Sequence, residues 1–123
     1  MQNLIPEHKD DQEKIKLLEE QSFEKIIPIV PQLLEWLQDG NWPISRPLSE
    51  FLNKHIGKIS SYYLEVLNGN DGTWKYFLIH SLASIPKDQI PFDLLKKITS
   101  IANSPTPLER LEEVDEAAQW LIE

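Results

Sequence analysis

The chain repeats itself. LEWLQDGNWPISRPLSEFL, residues 34–52, and LEVLNGNDGTWKYFLIHSL, residues 64–82, superimpose at a constant offset of 30 residues, pairing Leu34 with Leu64, Glu35 with Glu65, Leu37 with Leu67, Leu48 with Leu78 and Leu52 with Leu82. A weaker third copy is VDEAAQWL, whose Val114, Ala117, Ala118 and Leu121 echo Ile44, Pro47, Leu48 and Phe51 at an offset of 70. Each copy carries turn residues flanked by helical apolar spacing, so each unit reads as a helical hairpin that buries its apolar face only by stacking on its neighbours. The fold expected is all-α: a short right-handed α-solenoid of about three hairpins with an N-terminal capping helix. Strand-like alternation is absent throughout.

Proline and glycine set the expected boundaries. Residues 1–10 read as a loosely held N-terminal arm in which Leu4, Ile5 and Pro6 can dock as an extended segment, and residues 11–123 as a single domain. A short helix with Ile15, Leu17 and Leu18 follows, with acidic residues early as the helix dipole prefers. Ser22 is the expected N-cap of FEKIIPIVPQLLEWLQ, in which Pro28 and Pro31 force a restart, because each lacks an N–H and clashes with the preceding turn. Gly40 and Asn41 should end it in a left-handed cap, and Pro43 should start a helix running to about His55. Gly57 is expected to break the chain again before KISSYYLEVLNG. After the NDG turn come TWKYFLIHSLAS, the loop IPKDQIP and FDLLKKITSIAN; Thr106, Pro107 and Glu109 then open a final acidic helix.

Around the first repeat the chain resembles HEAT-like repeats, on Pro31, Leu34, Leu37, Asp39, Ile44 and Arg46. That resemblance implies a first helix bent at Pro31 and a structural brace between Asp39 and Arg46 across the turn. The second copy has Gly69 and Tyr76 where Asp and Arg would stand. More closely, LLEWLQD with NWP, then WKYFLI, then TP and EVDE, looks like a bacterial family of small all-helical domains of unknown function. This implies a fold and no activity.

Composition narrows the partners. Twenty acidic against twelve basic side chains give a formal charge of −8, which disfavours phosphate backbones and anionic membranes; neither nucleic acid nor membrane is expected. With no cysteine, there is no disulfide, thiol chemistry or Cys-ligated zinc, and a cytoplasmic location is the expectation. The chain carries no apolar run long enough to span a bilayer. His8, His55 and His80 lack metal-ligand spacing, and no phosphate loop, nucleophile elbow or HExxH occurs, so no metal, cofactor or catalytic residue is predicted.

Candidate binding residues come from subtracting core positions from the second helix of each hairpin, which lines the concave face of a solenoid. That leaves Arg46, Ser49, Glu50 and Asn53 in one unit and Lys75, Tyr76 and His80 in the next. Trp36, Trp74 and Trp120 fall on apolar faces and read as core. Trp42, pinned before Pro43, is expected to wedge against the next unit, with an exposed contact anchor as the alternative. Glu50 and Lys54 form an expected i, i+4 pair.

The functional expectation is a non-enzymatic module that binds a peptide or protein on its concave face, as a monomer or weak dimer. The alternative is an immunity-type or antitoxin-like inhibitor whose acidic last helix, with Glu112, Glu113 and Glu116, neutralises a basic bacterial enzyme.

Overall fold

Proline decides where the helices of the first third stop. In a computed structural model, which describes residues 3–123, α1 spans Glu13–Glu19, α2 Phe23–Ile26 and α3 Val30–Leu34, with single 3-10 turns at Ile27–Ile29 and Glu35–Leu37. Pro28 and Pro31 each fall in the first two positions of a new element, where no intrahelical donor is required. Longer helices follow, α4 (Ser45–Asn53), α5 (Ile56–Leu67), α6 (Gly72–Ser81), α7 (Phe92–Asn103) and α9 (Val114–Ile122), with the short α8 (Pro107–Leu111) between the last two. There is no strand among the described residues.

Much of the packing joins helices two or three places apart in the chain. α3 packs on α5, α5 on α7 and α7 on α9, while α4 packs on α6 and α6 on α9; α1 covers α4. The repeat positions supply these contacts: Leu34, Leu37, Leu48 and Leu52 are buried together with Leu67, Leu78 and Leu82. Each such side chain contributes roughly 1.5–3 kcal/mol of transfer free energy. Trp74 ties the two copies further, its indole N–H donating to the Leu34 carbonyl at 3.0 Å and satisfying an acceptor near the α3 C-terminus.

Several boundaries differ from expectation. α4 begins at Ser45, after Pro43, because the arm reaches it: the Ile44 N–H donates to the Lys9 carbonyl at 2.9 Å. The arm is docked rather than loose, with Leu4 and Pro6 buried. Its return is fixed by Asp11, which accepts the Glu7 N–H at 2.9 Å and the Lys14 ammonium at 3.1 Å. Met1 and Gln2 lie outside the described residues. Gly57 does not break the chain but sits at the second position of α5. Gly40 takes no left-handed cap; it serves close approach, since a Cβ there would lie 2.6 Å from Phe77 Cδ1.

The last acidic helix is two helices. Thr106 and Glu109 form the expected capping box at α8, the Thr106 hydroxyl accepting the Glu109 N–H at 3.1 Å and the Glu109 carboxylate accepting the Thr106 N–H at 2.9 Å. At Glu113 the backbone turns left-handed, φ 61°, and α9 sets off anew toward α6 and α7. Glu112 lies directly over Gly72 in this turn, where a Cβ would meet its Cγ at 2.6 Å.

Candidate functional site

A groove of about 470 Å³ runs between α4 and α6, walled by Arg46, Ser49 and Glu50 on one side and by Tyr76, His80 and Ser81 on the other. The spacing explains the walls: residues three and four apart on each helix share a face. The Ser49 hydroxyl turns back to donate to the Arg46 carbonyl at 2.9 Å, leaving Arg46 and Glu50 as the polar rim. Arg46 Nε donates to the Glu50 carboxylate at 3.1 Å across a single helical turn.

Beyond the groove end, Asn53 clamps the two helices. Its side-chain amide donates to the Ser81 carbonyl at 2.8 Å and the Ser84 hydroxyl at 3.0 Å, while its Oδ1 is buried without a partner. Asn53 is thus a buried structural tie rather than a groove side chain.

On α6 the groove wall continues as a row of rings. Tyr76 stands 5.2 Å from Phe77 and 4.6 Å from His80, and His80 stands 4.8 Å from Trp120 on α9. Burial pushes the His80 imidazole below its ordinary value, which favours the neutral ring at pH 7. Trp120 is 52% exposed, contrary to the core position expected of it. Tyr76 also lines a second depression with Thr73, Leu111, Glu112 and Glu113, so an acidic rim borders the aromatic row.

The family comparison adds one fact to this geometry. A family model described as a domain of unknown function (DUF5071) matches residues 4–122. The chain belongs to the DUF5071 family. A comparison with curated proteins finds no match.

Among the residues proposed from sequence, this DUF5071 domain brings Arg46, Ser49, Tyr76 and His80 to one groove and withdraws Lys75 from it. Lys75 is buried, its side chain 5% exposed, and its ammonium meets the Glu109 carboxylate at 2.9 Å. The expected brace also fails to form. Arg46 reaches along its own helix to Glu50, and Asp39 instead accepts the Asn41 N–H at 2.8 Å, so the turn is held by a local side chain to backbone bond. Lys54 pairs with Glu19 of α1 at 3.9 Å rather than with Glu50. Trp42 is half-buried, its ring edge-on to Trp36 of its own unit at 5.7 Å and under the Lys9 ammonium of the arm, so it packs toward the N-terminal arm and not, as expected, against the next unit.

Trp120 is the residue missed from sequence, and a signal for it existed. At the repeat offsets of 30 and 70, Glu50, His80 and Trp120 are equivalent positions, so the exposure assigned to Glu50 and His80 carried over to Trp120. Among the described residues no group of three or more His, Cys, Asp or Glu is arranged to hold a metal, and no helix is long and apolar enough to cross a membrane.

Proposed function

We propose that this domain is a non-enzymatic protein-interaction module, cytoplasmic, that takes a peptide or protein partner across α4, α6 and α9. The observation that carries the reading is the ring row Tyr76, His80 and Trp120, continuous with the α4–α6 groove and partly exposed. Exposed large aromatics clustered beside a cleft are the ordinary makings of a binding hot spot. In this reading the domain is a short right-handed HEAT-like solenoid. The second-neighbour packing of α3, α5, α7 and α9 and of α4 on α6 supports it, as does the equivalence of Glu50, His80 and Trp120.

A second reading rests on one specific feature. Glu112 and Glu113 share a depression with Tyr76, so an acidic inhibitor of a basic enzyme would use part of the same surface. The two separate by salt, because exposed charge pairs are screened and aromatic anchors are not.

The test is affinity capture from a lysate of the source organism at low and high salt, with wild type and Tyr76→Ala in parallel. A partner retained at high salt and lost with Tyr76→Ala supports the aromatic module. A basic enzyme held at low salt alone and lost with Glu112→Gln and Glu113→Gln supports the inhibitor. Retention indifferent to all of these substitutions overturns both.

A further inference from the structure

A separate cavity, sharing no lining residue with the α4–α6 groove, opens between α3 and α5 beneath the loop that leads into α6. Its volume is about 260 Å³, just under the ~300–1,000 Å³ of small-molecule clefts, which suits a head group rather than a whole large ligand. The walls combine two aromatic rings, Tyr62 and Trp74, with apolar surface from Pro31, Leu34 and Val66. Two carboxylates, Glu65 and Asp71, stand among them, and no lysine, arginine or histidine is among the described residues that line it.

Part of the polar lining is engaged, while the Tyr62 hydroxyl, the Glu65 carboxylate and the Asn70 amide lie at the exposed or half-exposed mouth. The Leu34 carbonyl accepts the Trp74 indole N–H at 3.0 Å, and Asp71 Oδ1 accepts the Trp74 backbone N–H at 3.0 Å to cap α6. The Val66 carbonyl accepts the Gly69 N–H at 3.0 Å. A primary ammonium needs acceptors for three N–H bonds, and against the Tyr62 and Trp74 rings and the Pro31, Leu34 and Val66 surface those pointing away from Glu65 would go unmet at a cost. A methylated ammonium has no such demand. Its charge is spread over C–H surface that packs against aromatic and apolar walls and is favoured by nearby carboxylates.

We infer that this cavity is a binding site for a methylated ammonium group, with Tyr62 and Trp74 as the aromatic walls and Glu65 as the free carboxylate. Such a group occurs on small choline-type molecules and on methylated lysine side chains. The shared chemistry is a compact, permanently or nearly permanently charged alkyl cation.

The test is an NMR titration of the full chain, following the assigned Trp74 indole N–H. The probes are choline, its neutral carbon isostere 3,3-dimethylbutan-1-ol, and a short peptide bearing trimethyllysine. A saturable shift with choline or with the peptide, at about tenfold higher affinity than the isostere, is the expected result. The tighter of the two cations then identifies the source of the head group. Glu65→Gln, at an exposed position, weakens cation binding about threefold and leaves isostere binding unchanged. Tyr62→Leu, which keeps apolar bulk, weakens the cation more than the isostere. Equal binding of cation and isostere, or no saturable Trp74 shift with either cation, overturns the assignment.

Discussion

Helices α4 and α6 hold equivalent places in the thirty-residue repeat, yet they fill the same positions with different chemistry. Where α4 has Ser45 and Arg46, α6 has Lys75 and Tyr76. Arg46 lies in solvent, its side chain 89% exposed, and makes a pair along its own helix. Lys75, one position earlier in the equivalent frame, is enclosed and bound to Glu109. The cause lies in the neighbours. α4 is packed by α1, by α6 and by the turn Glu35–Leu37, whereas α6 is packed by α4, α5, α9 and that same turn. Both units bury the first of these positions, Ser45 at 6% and Lys75 at 4% exposed, and only the inner unit also covers the second, where Tyr76 is half-buried and Arg46 exposed; a charge survives at the buried position only with a partner. The lesson is that equivalent repeat positions share a direction and, at Ser45 and Lys75, a degree of burial, without sharing a residue type.

The largest expected effect tests that difference directly. Lys75→Met leaves the Glu109 carboxylate buried and uncompensated and should cost about 3–5 kcal/mol in urea unfolding, as broken buried pairs do. Lys75→Met with Glu109→Gln should recover most of the loss, since Gln still accepts the Thr106 N–H in the capping box. Glu109 adds a pH signature. Burial alone would raise its carboxyl, but the bonds from the Thr106 N–H and the Lys75 ammonium outweigh it and hold the group below its ordinary 4.5. The unfolded chain therefore binds more protons than the native one in that window. The stabilisation is complete above pH 4.5 and is lost as pH falls through the lowered value, and Glu109→Gln should flatten that limb of the urea midpoint against pH.

Thr106→Ala removes the hydroxyl that caps α8 and sets Glu109 toward α6, at an expected cost of about 1 kcal/mol by thermal unfolding. A loss near that of Lys75→Met would mean that the cap and the ion pair act as one unit. His80 sharpens the outer side of α6. Its imidazole is held below 6.5 by burial, so its contribution is present above pH 6.5 and fades on acidification. Trp120→Ala uncovers the ring, and an NMR titration should then find the His80 pKa moved upward. Arg46→Ala should be the quietest change, within about 0.5 kcal/mol of wild type, because an exposed helical pair adds little. A cost comparable with that of Lys75→Met would erase the contrast between the two helices.

Much of the fold was readable because the residues that report it act locally. Pro28 and Pro31 restart helices through their missing N–H, Thr106 and Glu109 cap through a four-residue box, and the offset of 30 aligned the buried leucines. The misreadings arose where the deciding contact is distant in sequence. Lys75 is indistinguishable from a solvated lysine until Glu109, 34 residues on, is brought to it. Gly40 resembles a helix cap because nothing nearby announces Phe77. The Asp39–Arg46 brace carried an expectation from long HEAT arrays into a unit whose turn is closed locally, Asp39 accepting the Asn41 N–H on its side chain and the Trp42 N–H on its carbonyl. In the candidate site, Tyr76 and His80 followed from helical spacing, and Trp120 would have followed from applying the offset of 70 to exposure as well as to burial.

We propose that α6 divides its labour, with an inward ion pair that holds the domain together and an outward ring row that would meet a partner. Calorimetric binding of the captured partner to Tyr76→Ala and to the Lys75→Met, Glu109→Gln pair, with Tm measured for each, tests this most directly. The account predicts that Tyr76→Ala abolishes binding with Tm nearly unchanged, while the paired variant shifts Tm and binds as wild type does. Full binding by Tyr76→Ala, or its loss only in the paired variant while that variant remains folded, would contradict it.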